Sequence, residues 1–547
     1  MAYASCAKET RAAVLAVICA ALTLASGRAI SLDKEAQATL VMTHGRGTLR
    51  IVEGVPFLTL SGSYKQMGEE YGALMKERIA KYLPRGVGAL TPEERRGLEN
   101  RLGTRFAGLL QGIAEATGTS YDAILRGIFD LPVQGCSSVL AKVPAGEGRT
   151  KLLHAKNLDL PGTPPLEAQA VVELRPEGEL RFLTTTILGF SDGMNERGIS
   201  ISLDAGSPCR QDPASPPPPG GAPELINNAM EALATARSLA EADRALTHVV
   251  PAGTQLVIVG SATEVDGVVI DLACGTVRRT MMGGEPYLFA TNTFLHPDLT
   301  PPGTLLECPR YRVLADRLKR DRIAAADDLV GVLSDPGTSS GPNNVLTRQS
   351  AIYDAGAGVL RLAVLDGYAA WGKWLEYEWR RDRVKVHREA LYRLGEPSLV
   401  RRPAAPVAAL RATVESYLDQ AALWHELEGV LAVAGLEANG PGRTVYHGNA
   451  GRQVDLEVVQ PVVRLAANTG RVRFEVTSAV EVVSVEHEGP YATLAAVYQS
   501  LARWMAEHGY QRAGPSRETW VHGPWNEPDE RAWRTIVEIP IASKVRE

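Results

Sequence analysis

The chain has 547 residues, 45% hydrophobic and 22% charged, which is core-forming sequence enough for roughly two to four globular units. Its formal charge of -5 and a pI near 6.1 leave no basic footprint for nucleic acid, and arginine pairs such as Arg401-Arg402 read as solvated surface. No C-x-x-C pair and no H-E-x-x-H motif occurs, and the ten histidines are scattered, so neither a metal nor another cofactor is expected.

Lys8 and Arg11 precede the apolar run "AAVLAVICAALTLA" and then the small residues "SGRA". That order predicts a secretory signal over 1–29, too short to span a bilayer stably, and hence a secreted or periplasmic protein. Cys6 and Cys19 would leave with it, and the rest of the chain keeps Cys136, Cys209, Cys274 and Cys308. A disulfide among the last three is open in an oxidising compartment.

From 61 to 83 the sequence "SGSYKQMGEEYGALMKERIAKYL" predicts a helix with Ser63 and Gln66 as a capping box. Thr91 as N-cap and Pro92 at the first helical position predict a second helix to about Gly118, and a short third one begins at Ser120. From Cys136 the texture turns to β, with "CSSVLAKV", "KLLHAKNLDL", a hairpin around Pro176-Glu177-Gly178 and "GISISLD". A proline-rich loop (212 to 223) leads into a helix from about Glu224, followed by strands, helices around 309 to 334 and two further β segments. Strand clusters alternating with helix clusters predict a layered α+β fold rather than a doubly wound parallel sheet.

Near residue 395 the pattern restarts, predicting one domain over 30–395 and a second over 396–547. The second is read as an extended piece, a long helix at about 411 to 435, strands, an amphipathic helix at about 491 to 508 and a final strand "RTIVEIPI". Five of the eight tryptophans fall there, which points to an aromatic-lined pocket.

One thiol stands out. Cys136 directly follows Gly135, where a helical pattern gives way to an extended one. A buried cysteine is ordinarily a small apolar packing group. Yet Gly135 leaves the preceding peptide conformationally permissive, and the polar set "HAKNLDL" follows at strand-to-strand distance. If the chain were cut between Gly135 and Cys136, the new α-amine, titrating near about 8, would serve as base for its own thiol. A nearby cation such as Lys156 would favour thiolate, and a carboxylate such as Asp159 would hold the amine.

The ordered segments "GSYKQMGEEYGALMKERI", "GCSSVLAK", "HAKNLDL", "GMNERGISISLD", "FATNTFLHP" and "CPRYRVL" resemble the cysteine N-terminal-nucleophile (Ntn) hydrolases of the penicillin acyltransferase type, relatives of the choloylglycine hydrolases and acid ceramidases. The resemblance implies an αββα sandwich, autocatalytic cleavage between Gly135 and Cys136, and hydrolysis or transfer of acyl groups on linear, non-peptide amides. It makes Cys136 the nucleophile, Asp159 the contact of the new amine, Asn292 an oxyanion-side residue and Arg310 a site arginine. Lys156 stands where the family usually has arginine, and lacks the planar fork of a guanidinium. Asp204 stands where many relatives have asparagine, and an ionised carboxylate cannot donate to an oxyanion. From the residues alone, Lys156 also reads as a solvated strand residue, Asn292 as a turn cap and Asp159 with Arg310 as a surface ion pair.

The C-terminal segments "RRPAAPVAALRATV", "SVEHEGPYATLAAVYQSLARWMAEHGY" and "WRTIVEIPI" resemble the gyrase-inhibitor-like (GyrI-like) effector-binding domain. That implies a smaller pseudo-symmetric α+β unit whose cleft takes small amphipathic or cationic molecules. Relatives often carry a glutamate after the threonine of the last strand; here that place is Ile536, with Glu538 two residues on. Tyr446, Trp504, Trp520 and Glu538 are the candidate ligand contacts, and core packing is the alternative for the aromatic three. The expected function is an exported, self-processing amide hydrolase or N-acyltransferase acting on a small N-acyl amide. The competing reading is a non-catalytic binding protein that uses only the C-terminal cleft.

Overall fold

The computed structural model describes residues 34–543 apart from 81–82, 84–88, 130–134, 161–168, 187–189, 191, 207–222, 250–253, 274, 301–302, 338–339 and 451–452. The expected signal segment, Cys209, Cys274 and most of the proline-rich loop lie outside the described residues. Cys136 and Cys308 are free thiols. The chain divides into two compact units between Glu389 and Ala390.

Two large sheets organise the N-terminal unit. One has eight strands, in the spatial order 34–35, 383–388, 374–378, 359–364, 347–354, 150–159, 135–144 and 287–290. The other has ten, in the order 276–281, 266–273, 255–261, 199–205, 192–195, 182–186, 170–176, 55–62, 47–52 and 38–44. Pairing in the second is antiparallel except between 55–62 and 170–176.

Period-two alternation in the strands decides what each sheet buries. From the ten-stranded sheet, Leu58, Leu60, Ile199, Ile201, Val257, Val259 and Ile270 pack against the helices Tyr64–Ile79, Pro92–Thr117, Pro223–Thr235 and Leu239–Thr247. From the eight-stranded sheet, Val139, Ala141, Leu153, Ala155 and Ile352 pack under the helices Pro309–Arg320 and Ala326–Leu333. The opposite faces meet each other: Phe57, Val171 and Met194 against Tyr353, Leu360 and Leu362, and Leu140 and Leu152 against Leu256, Ile258 and Val269. The layers therefore run helix, sheet, sheet, helix. Buried Ser138, His154, Lys156, Ser200, Ser202 and Asp204 also lie on the facing strands.

Local signals placed the first helices correctly. Ser63 and Gln66 form a reciprocal capping box, as do Thr91 and Glu94, with Pro92 in the first turn and Gly118 closing the helix in left-handed geometry. The helix from Pro92 is not continuous: Gly103 has φ 71° and breaks it, and a side chain there would run into the Asn227 amide.

The C-terminal unit repeats one β-α-β-β plan twice. Strand Pro406–Val414, helix Gln420–Val433 and the hairpin Arg443–Ala450/Gln453–Pro461 form the first half; strand Val480–Glu488, helix Leu494–His508 and strands Ser516–His522 and Arg534–Ser543 form the second. Strands 443–450 and 516–522 join the halves in antiparallel register, and the helices of both halves pack against one sheet. The helix expected from about 411 is corrected: residues up to Val414 are strand, and helix begins at Gln420. "AALRATV" suits a helix by composition, but here Ala408 and Leu410 pack under the helix while Val407 and Ala409 face the other way. Pairing with 453–461 and 473–476 overrides the local preference.

Candidate active site and ligand cleft

Cys136 opens strand Gly135–Pro144, one strand in from the edge of the eight-stranded sheet, and its side chain is 0% exposed. Its backbone nitrogen donates to Asn292 Oδ1 at 3.2 Å, and Asn292 Nδ2 donates to the Ala205 carbonyl at 2.8 Å. The amide oxygen of Asn292 thus faces the nitrogen that a cut would release, and one N–H of its NH2 group is taken by the backbone. The resemblance implied an oxyanion-side residue, and the structure sets Asn292 directly against the cysteine backbone.

The sulfur lies 3.7 Å from the Leu203 carbonyl oxygen. Lys156 Nζ donates to that same oxygen at 2.6 Å, so cation and thiol share one acceptor. Lys156 is 2% exposed, which corrects its reading as a solvated residue. It bridges Asp192 at 2.6 Å and Asp204 at 3.5 Å. Asp192 also accepts from Leu203 N–H at 2.9 Å and so fixes the shared carbonyl's segment.

Titration follows from this enclosure. Burial drives the Cys136 thiol well above its ordinary value; Lys156 opposes that, while Asp204, Asp192 and Asp159 add to it. Burial works against the Lys156 charge, yet Asp192, Cys136 and Asp204 together hold its ammonium above the usual range. Burial raises Asp204 to about 7 against the pull of Lys156 and the Ser138 hydrogen bond. His154, buried between Ser200 and Ser202 at 3.0 and 2.9 Å, is lowered to about 3 by burial and by Lys156.

Asp159 is the register partner of Gly135. It is 1% exposed and receives Arg310 Nη1 at 2.5 Å, Thr347 Oγ1 at 2.7 Å and Asn344 Nδ2 at 2.9 Å. A surface ion pair is therefore excluded. A Cβ on residue 135 would strike the Arg310 guanidinium and come within 3.0 Å of Asp159 Oδ2, so a side chain there would have to push Arg310 off its bond with Asp159. Cys136, Lys156, Asn292, Asp159 and Arg310 converge on one peptide link. Asp192, Ser138, Ser202, Asn344 and Thr347 complete the site and were not read from sequence; "SDGMN" carries Asp192 in a strand of only four residues, too short for alternation to mark it.

In the C-terminal unit Glu518 and Glu538 are both buried carboxylates, and it is Glu518 that meets tyrosine hydroxyls. Tyr446 and Tyr498 hydroxyls each donate to it at 2.7 Å, and burial raises its pKa although both tyrosines oppose the shift. Trp520 lies two residues on along the same strand, edge-on to Tyr491 at 4.8 Å, and Tyr417 stands edge-on to Tyr446 at 5.6 Å. Glu538 is corrected: it pairs in register with Arg517, not Glu518, and so lies on the other face of the sheet, bound by Arg402 Nε at 2.6 Å. Trp504 stacks on His508 and Tyr510 at the end of its helix rather than joining the Glu518 set. The strand "SRETWVH" held the missing signal, since alternation puts Ser516, Glu518 and Trp520 on one face.

Among the described residues no cluster of three or more His, Cys, Asp or Glu is placed to hold a metal ion, and no described helix is long and apolar enough to cross a membrane. No curated protein matches the chain. A structure of the EcmrR C-terminal domain is similar at 27% identity, covering 28% of this chain and 99% of that one with a TM-score of 0.26. EcmrR in a DNA complex is similar at the same identity and score, and this chain covers 58% of that one. An N-acylethanolamine-hydrolyzing acid amidase ortholog from Caenorhabditis elegans is similar at 20% identity (40% of this chain, 93% of that one, TM-score 0.30). A conjugated bile acid hydrolase from Clostridium perfringens is similar at 13% identity (46% and 96%, TM-score 0.31). The family model that matches is the GyrI-like small molecule binding domain, over residues 395–542. The C-terminal part of the chain is thus a GyrI-like small-molecule-binding domain, following an N-terminal unit of helix, sheet, sheet and helix layers.

Proposed function

We propose that the N-terminal unit is a cysteine N-terminal-nucleophile hydrolase or acyltransferase for linear amides, made active by self-cleavage between Gly135 and Cys136. One observation carries the reading: the Cys136 nitrogen rests on Asn292 Oδ1 while its thiol shares the Leu203 carbonyl with a buried lysine. In the precursor, Sγ attacks the Gly135 carbonyl carbon, the C–N bond breaks, and the thiol proton passes to the departing nitrogen. Water then opens the thioester, leaving a Gly135 carboxylate, a free thiol and a free amine. In turnover the amine takes the thiol proton, Sγ attacks a substrate amide carbon, and the leaving amine carries the proton away. Water or an acceptor amine then removes the acyl group.

The C-terminal cleft is proposed to take a small amphipathic cation, with Glu518 as counter-charge between Tyr446 and Tyr498 and with Trp520 and Tyr491 as aromatic walls. A structure of SAV2435 bound to tetraphenylphosphonium is similar to part of this chain, and that cation is therefore the probe chosen. Export is proposed from the N-terminal segment alone.

Intact mass measurement tests the catalytic reading. Two fragments split at Gly135-Cys136, becoming one chain in Cys136→Ala, together with cleavage of some member of an N-acyl amide and β-lactam panel, support it. The complete burial of the sulfur favours a second reading, a binding protein with a silent N-terminal unit. A single unsplit chain that binds tetraphenylphosphonium and cleaves no panel member would establish that instead.

A further inference from the structure

The face of the GyrI-like sheet opposite Glu518 carries charge that the cleft does not use. Arg443 and Arg517 stand on adjoining strands, Arg443–Ala450 and Ser516–His522, where Arg443 is the register partner of Thr519 and Arg517 that of Val445. Register partners share a face and successive residues alternate, so the two arginines lie diagonally on one face and Glu518 points to the other. Glu538, directly across from Arg517 on the last strand, shares the arginine face.

Glu538 is bound by Arg402 Nε at 2.6 Å. Arg411 and Glu457, also on this face, are met by Asp455 and His447. Arg443 and Arg517 are different. Among the described residues neither side chain forms a hydrogen bond or an ion pair, and the Nε of each is buried without a partner. Their register neighbours Val459 and Val445 are buried as well, so hydrocarbon flanks both guanidinium stems. Burial lowers the pKa of both; Arg517 adds to the shift of Arg443, Arg402 adds to that of each, and Glu538 opposes both. A guanidinium does not give up its proton in a protein. Two partly desolvated cations side by side are therefore relieved by an added anion rather than by deprotonation.

We propose that Arg443 and Arg517 form a binding site for a phosphoryl dianion, with their two guanidinium forks as the donors. Two unpaired positive charges match one dianion, and the planar fork of arginine suits phosphoryl oxygens. Glu538 does not compete for the pair, because Arg402 already holds it. The unit then offers a cation cleft at Glu518 and an anion site on the reverse of the same sheet, and the second does not depend on the first.

Calorimetric titration of the full chain tests this, at about pH 8 in phosphate-free buffer, with inorganic phosphate, phenyl phosphate and acetate as probes and sodium chloride holding ionic strength constant. Saturable binding of a phosphate probe is expected, at least about tenfold tighter than acetate, and weakened at least about tenfold by Arg443→Met and by Arg517→Met. Arg411→Met removes a guanidinium of the same face that Asp455 already pairs, and should stay within about twofold of wild type. Binding of both phosphates supports a site for the free anion, and binding of phenyl phosphate alone supports one for a phosphorylated small molecule. No binding of either, acetate binding as tightly, or undiminished binding in Arg443→Met and Arg517→Met overturns the proposal. Thermal melts check that the variants fold; should one fail, the other variant and the wild-type titrations decide.

Discussion

Lys156 shows how burial turns an ordinary strand lysine into a structural commitment. Its ammonium lies between Asp192 and Asp204 with no access to water, so removing it leaves two uncompensated acids in the interior. Lys156→Met is expected to lower stability by about 3–5 kcal/mol, measured by chemical denaturation, and to abolish chain splitting. Gly135→Ala tests a different constraint, the collision with Arg310. It should leave an unsplit chain by intact mass while Cys136 itself is unchanged. His154 gives a pH signature. Its folded pKa of about 3 lies below the ordinary histidine value, so its contribution is complete above about 6.5 and is lost as pH falls toward 3. The melting temperature should therefore drop over that window, and His154→Gln should flatten part of the drop.

Among elements, the two capping boxes and the strand 406–414 behave in opposite ways. Thr91 and Glu94 satisfy each other's backbone N–H groups locally, which is why four consecutive residues sufficed to locate the helix start. Thr91→Ala should cost about 1 kcal/mol in equilibrium unfolding, with no change in chain splitting. Leu410, buried beneath the helix Gln420–Val433, reports on the strand whose last four residues local preference misassigned. Leu410→Ala is expected to cost about 2–5 kcal/mol. A cost below about 0.5 kcal/mol, the usual result on an exposed surface, would contradict the register described.

For the whole molecule, the central question is which glutamate the GyrI-like unit offers to a ligand. Glu518 is enclosed by Tyr446 and Tyr498, whereas Glu538 is already neutralised by Arg402 on the other side of the sheet. Glu518→Gln should weaken tetraphenylphosphonium binding at least about tenfold in calorimetric titration, as loss of a desolvated charge partner implies. Glu538→Gln should leave binding within about twofold. Equal losses from both would mean that the cleft is not where the aromatic residues place it.

Composition, capping signals, strand alternation and ordered short segments were enough to determine the alternation of helix and strand clusters and the singular position of Cys136, because each depends on residues close together in the chain. The partners of that cysteine were legible only in part. Lys156 and Asp159 follow it across one hairpin, but Asp192, Asn344 and Thr347 arrive from distant segments, and no local pattern records such distances. Tertiary structure alone decided that Asn292 faces the cysteine nitrogen, that Glu518 and not Glu538 lies among the aromatic residues, and that the strand from Pro406 runs on through residues 411–414. The physical reason is common to all three. Which face of a strand is covered, and how far a charge lies from water, are properties of packing between segments that the chain brings together only on folding.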